Sequence, residues 1–135
     1  MGKMILIGTH GRFGEELVSS AEMIMGKMEH VECCSLLSGM SFEEYAASVE
    51  QILSKFPGET LCLVDLFGGT PSNVMTALSR KYNTQVVTGL NLPMLIEVYM
   101  NHSDLSIEDL AELALSSLSE SGKHINYIIR DKCRR

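Results

Sequence analysis

Two apolar patterns alternate along the chain: short, β-rich runs, and longer stretches in which apolar residues recur every three or four positions. Lys3 to Gly8 (KMILIG) is a short run closed by glycine. From Phe13 to Gly26, Leu17, Val18, Ala21, Ile24 and Met25 fall at helical spacing. Val31 to Leu37 predicts a second strand. Ser41 with Glu44 forms a capping box, opening a helix that reaches about Phe56 before the Pro57-Gly58 stop. Thr60 to Asp65 (TLCLVD) is apolar almost throughout, as expected of a strand buried on both faces. Thr70 as N-cap and Pro71 at the first helical position predict a helix from Pro71 to about Tyr82. A fourth strand runs from Thr84 to Gly89, and Pro93 opens a helix to about Asn101. Ser106 with Asp109 caps another helix that stops at Gly122, and His124 to Arg130 predicts a last strand.

Strands alternating with helices through short connections mean an α/β fold: a mostly parallel, doubly wound sheet with helices on both faces. At 135 residues, with no repeat and no low-complexity linker, the expectation is a single domain over 1–135. The formal charge of −6, with no basic run longer than Arg134-Arg135, argues against a nucleic-acid or anionic-membrane surface. No apolar stretch approaches the roughly 18 residues of a spanning helix, and Met1-Gly2-Lys3 does not open a signal peptide. The expectation is a soluble cytoplasmic protein. Cys33 and Cys34 are adjacent, so on a strand they face opposite ways and cannot chelate together. With Cys62 in an apolar run and Cys133 in the polar tail, no zinc-type spacing arises.

In an open α/β sheet, ligands bind beyond the carboxyl ends of the strands. Three such ends are rich in glycine and small polar residues: Gly8-Thr9-His10-Gly11, Asp65 with Gly68-Gly69-Thr70, and Gly89-Leu90-Asn91. His30, His102 and His124 sit in connectors or at element ends, whereas His10 follows a buried strand between Gly8 and Gly11. An imidazole presented there serves as nucleophile, base or metal ligand. Asp65 either orients that ring or caps a loop. Gly69, Thr70 and Ser72 open a helix whose free N–H groups favour an anion such as phosphate. Neither a P-loop nor GxGxxG is present, and no GxSxG elbow marks a hydrolase. A histidine, a carboxylate and an anion cradle suggest a protein that carries phosphoryl on His10.

The segments IGTHGRFGEEL (7–17), LVDLFGGTPSN (63–73) and GLNLPML (89–95) together closely resemble the IIA domain of the mannose family of the bacterial phosphoenolpyruvate-dependent sugar phosphotransferase system. The resemblance implies that His10 is phosphorylated on Nε2, that Asp65 orients its ring from Nδ1, and that Thr70 lies beside the phosphoryl group. It implies transfer from phospho-HPr to His10 and on to a histidine of IIB. No metal or cofactor is needed. The membrane subunits IIC and IID choose the sugar and are met only indirectly. Since the chain ends at Arg135, IIB is expected on a separate chain. Family members are homodimers that commonly exchange the last strand, here His124 to Arg130, expected to be antiparallel. Phe13 and Phe67 are candidates for an apolar docking rim or for loop packing, and Arg12 either binds phosphate or solvates its loop.

Three other readings compete. The phosphocarrier subunit of dihydroxyacetone kinase shares the fold and a strand-one histidine, but its later motifs look different from GGTPSN and GLNLPML. A non-catalytic regulatory module would hold a small anion at Gly69-Thr70 with His10 as a contact. A small hydrolase built on His10 and Asp65 would lack any further nucleophile.

Overall fold

The computed structural model describes residues 2–133, with side chains as far as Arg130. Four strands form one parallel sheet in the order β2-β1-β3-β4: β1 (Lys3–His10), β2 (Val31–Leu36), β3 (Glu59–Val64) and β4 (Thr84–Thr88). Helix α1 (Phe13–Met25) joins β1 to β2, α2 (Phe42–Lys55) joins β2 to β3, and α3 (Thr70–Leu78) joins β3 to β4. Helices α4 (Leu92–Asn101) and α5 (Ile107–Ser121) follow.

Strand periodicity divides the core in two. Ile5, Ile7, Leu61, Leu63 and Val87 pack on one face with Ala21 of α1, Met94, Leu95 and Val98 of α4, and Leu110 and Ala114 of α5. Met4, Leu6, Cys62 and Val64 pack on the other with Tyr45, Val49 and Leu53 of α2 and Val74 and Met75 of α3. Right-handed crossovers dictate this split: the step from β1 to β2 runs one way across the sheet, and the next two steps run the other way. Leu6 and Ile7 are fully buried, each contributing about 1.5–3 kcal/mol by leaving water. Gly8 permits this packing, because a Cβ there would lie 2.6 Å from Met75 Cε and 2.7 Å from Tyr45 Oη. Cys33 and Cys34 do face opposite sides; Cys33 packs against the first cluster and Cys34 lies in the second.

Both serine caps form. Ser41 Oγ accepts from Glu44 N–H at 3.1 Å while Glu44 accepts from Ser41 N–H at 2.8 Å, and Ser106 Oγ accepts from Asp109 N–H at 3.1 Å.

Three expectations need correction. Strand β1 runs two residues beyond Gly8 and ends on His10 itself. Helix α3 starts at Thr70 with Gly69 as N-cap, so Thr70 is its first residue rather than its cap; it ends at Leu78 rather than near Tyr82. The third concerns the last element. Among the described residues of the single chain no fifth strand forms from His124 to Arg130; helix α6 (Ile125–Cys133) stands there instead. Ile125, Tyr127 and Ile129 alternate as in a strand, which is the pattern that suggested one. The segment joins no ladder of the sheet, so its backbone satisfies itself by helical bonds such as Ile128 N–H to His124 C=O at 3.1 Å. All three apolar side chains are exposed on α6. Met1, Arg134 and Arg135 lie outside the described residues, and so does the Cys133 side chain.

Candidate active site

The central strands β1 and β3 send their chains to opposite faces of the sheet, and the crevice this opens lies at their carboxyl ends. His10 is the last residue of β1, and Asp65 directly follows β3. Pairing of Gly8 with Val64 sets the two ends side by side. One oxygen of Asp65, Oδ2, accepts from both the backbone N–H of His10 at 3.0 Å and its ring Nδ1 at 3.0 Å. An ionised carboxylate only accepts hydrogen bonds, so Nδ1 carries a proton, and in the neutral ring the lone pair lies on Nε2. The His10 side chain is 47% exposed and that of Asp65 15%. The second oxygen, Oδ1, is buried with no hydrogen-bond partner among the described residues.

The other wall is the loop between β3 and α3. Gly68 turns the chain at φ +83°, and Asn73 steadies the turn by donating from Nδ2 to the Gly68 carbonyl at 3.2 Å. Gly69 then brings its backbone flat against the imidazole: a Cβ there would lie 2.7 Å from His10 Cε1 and 3.3 Å from Nε2. Helix α3 therefore begins beside the free ring nitrogen. No side chain caps it. Its first backbone bond, Asn73 N–H to Gly69 C=O at 2.9 Å, leaves the N–H groups of Thr70 and Ser72 without intrahelical acceptors. They and the positive end of the helix dipole suit an anion bonded to Nε2. Ser72 is buried and Thr70 half-buried.

The remaining candidates lie on the rim. Phe13, the first residue of α1, is half-exposed, and Phe67 is 84% exposed, so neither packs into its loop. Leu66 and Leu37, which sequence reasoning did not single out, are exposed at neighbouring strand ends. Arg12 is paired: its Nη1 donates to Glu15 Oε1 at 3.2 Å, and Ser35 donates to Glu15 Oε2 at 2.5 Å. The Ser35 hydroxyl, before Arg12, holds the Glu15 carboxyl below its usual range. Neither Glu15 nor Ser35 was foreseen, because their contact joins α1 to β2 without any local motif. The third glycine-rich strand end serves structure: Asn91 Oδ1 caps α4 by accepting from Met94 N–H at 3.0 Å, and Nδ2 donates to Ser121 Oγ at 3.1 Å. Burial pushes the Cys33 thiol up to about 11, which disfavours the thiolate.

The family described as PTS system fructose IIA component, of the EIIA-man type, matches residues 4–115. The chain belongs to this family. It is a IIA component of the mannose/fructose branch of the sugar phosphotransferase system. Among its relatives, the mannose-specific EIIAB component of Escherichia coli K12 is 34% identical over 123 residues, covering 88% of this chain. The chain spans only 38% of that relative's length. The fructose-specific EIIA component of Bacillus subtilis is 31% identical over 109 residues, covering 78% of this chain and 75% of the relative. The crystal structure of an EIIA component from Streptococcus agalactiae is 33% identical, covers 93% of this chain and 98% of its own, and superposes with a TM-score of 0.87. Among the described residues no cluster of His, Cys, Asp and Glu suited to a metal is gathered, and no helix is long and apolar enough to cross a membrane.

Proposed function

We propose that this IIA component is a phosphohistidine carrier that accepts phosphoryl on His10 Nε2 from phospho-HPr and passes it to a histidine of a IIB partner during sugar uptake. The observation that carries this reading is the orientation of His10: Asp65 holds Nδ1, and Nε2 faces the uncapped start of α3. In the first transfer the Nε2 lone pair attacks phosphorus, the N–P bond to the HPr imidazole breaks, and its electrons return to that ring. The proton on His10 Nδ1 stays against Asp65, whose carboxylate balances the positive charge the ring acquires as Nε2 bonds to phosphorus. Donors at Thr70 and Ser72 stabilise the equatorial oxygens in transit, and positioning supplies the rest. The second transfer is the same displacement with His10 as leaving group.

Phe13, Phe67 and Leu66 form the apolar rim against which HPr and IIB dock, with Arg12 a cation at its edge. The working place is the cytoplasm, with the membrane subunits IIC and IID reached through IIB. The functional unit is a homodimer. An edge strand open on one side, β4, and the groove beside it between Val86, Ala111 and Leu115 support this.

The test is intact-protein mass after incubation with phosphoenolpyruvate, enzyme I and HPr. One added phosphate that is lost in acid and absent from His10→Ala is the expected result. An unmodified wild type with active partners would overturn the carrier reading in favour of an anion-binding module.

A further inference from the structure

Thr9 precedes His10 on β1, is 1% exposed, and uses its hydroxyl in both directions. Oγ1 accepts from the backbone N–H of Gly14 at 2.8 Å and donates to the carbonyl of Gly11 at 3.3 Å. These bonds bracket the tight connection from β1 to α1. Within it, Gly11 takes φ +58° and donates its N–H to the Leu36 carbonyl at 2.8 Å. Helix α1 has Arg12 as N-cap with no side-chain cap bond, so Thr9, from the preceding strand, satisfies one of its orphan donors. Gly14 is what allows the approach: a Cβ there would lie 2.7 Å from Ile7 Cγ2 and 3.1 Å from Thr9 Oγ1.

We infer that Thr9 is a positioning residue for His10, its hydroxyl fixing the β1–α1 turn so that Nε2 stays aimed at the start of α3. The inference deepens the carrier reading and rests on it. His10 is gripped on both sides. Asp65 holds its N–H and ring from β3, and Thr9 holds the backbone that leaves it. Without the hydroxyl, Gly14 N–H loses its acceptor and Gly11 C=O its donor, and the turn shifts to find others. A ring displaced by a fraction of an ångström no longer presents its lone pair in line.

Two substitutions separate the bonds from the packing. Thr9→Val keeps the shape and removes the hydroxyl, whereas Thr9→Ser keeps the hydroxyl and removes the methyl. Phosphoryl acceptance from phospho-HPr should slow about tenfold in Thr9→Val at saturating donor, with KM nearly unchanged, and stay within about threefold of wild type in Thr9→Ser. The 15N spectrum of the His10 ring should show the Nδ1–H tautomer in wild type and Thr9→Ser and a tautomer mixture in Thr9→Val. A Thr9→Val protein with wild-type rate and tautomer would overturn the assignment, as would a serine variant as impaired as the valine one. If Thr9→Val does not fold, Thr9→Ala removes the same hydroxyl and is read in the same way. If wild type itself accepts no phosphoryl, the carrier reading fails, and the ring spectra alone decide the role of Thr9.

Discussion

Helices α3 and α4 begin at the same end of the same sheet, each with a proline in its first turn, yet their N-termini are finished differently. Asn91 caps α4 with its side chain and is itself tied to Ser121 of α5. Gly69 gives α3 no such cap and lies against the His10 ring. Both starts carry the positive end of a helix dipole. The start that spends its Met94 N–H on Asn91 is tied into the fold through Ser121. The other leaves the N–H groups of Thr70 and Ser72 unspent, and it is the one that faces the His10 imidazole. A glycine-rich strand end thus marks a site only when its donors remain unspent.

The contrast is open to attack at both ends. The largest effect is expected from Gly69→Ala. Gly69 has φ −79°, so alanine fits its backbone, and the clash at 2.7 Å falls on the half-exposed His10 ring rather than on backbone. Transfer from phospho-HPr should fall about 100-fold while the thermal midpoint barely moves. A large loss of stability instead would make this glycine as structural as the α4 cap. Asp65→Asn comes next. The amide oxygen still accepts one bond but no longer balances a positive ring, and the rate should fall about tenfold or more with a smaller loss of stability. Normal transfer from a destabilised protein would show Asp65 to be a loop cap. Asn91→Ala should behave oppositely, costing about 1 kcal/mol in denaturant unfolding and leaving the transfer rate intact. The smallest signal is direct: inorganic phosphate titrated at millimolar concentration should move the amide resonances of Thr70 and Ser72 and leave Met94 still. Equal shifts at the two helices would erase the distinction.

Much of this was legible in the sequence, for local reasons. His10, Asp65 and Gly69 stand at strand ends, and strand ends announce themselves by the change from apolar run to glycine. The capping box at Ser41 and the cap at Ser106 read directly because their bonds span three residues. The cap of α3 falls one position before the expected Thr70, on Gly69, whose backbone lies against the His10 imidazole, a contact no local rule contains. Thr9 and the Ser35–Glu15 contact left no signature, since each joins residues brought together by the fold. The last segment misled for the opposite reason. Its alternation of Ile125, Tyr127 and Ile129 is a true strand pattern, but a strand exists only where it pairs, and among the described residues this segment pairs with neither edge of the sheet.

The double grip of Asp65 Oδ2 on the main chain and ring of His10 ties chemistry to strand alignment. Side chains alternate along a strand, so a slip of β1 by one residue against β3 would turn His10 to the opposite face and put Thr9 or Gly11 where the imidazole belongs. Misaligned molecules would be compact and helical, yet unable to hold a ring on that oxygen. On the proposed carrier function, the fraction of a preparation that takes up phosphate would count the chains whose central strands have found their register.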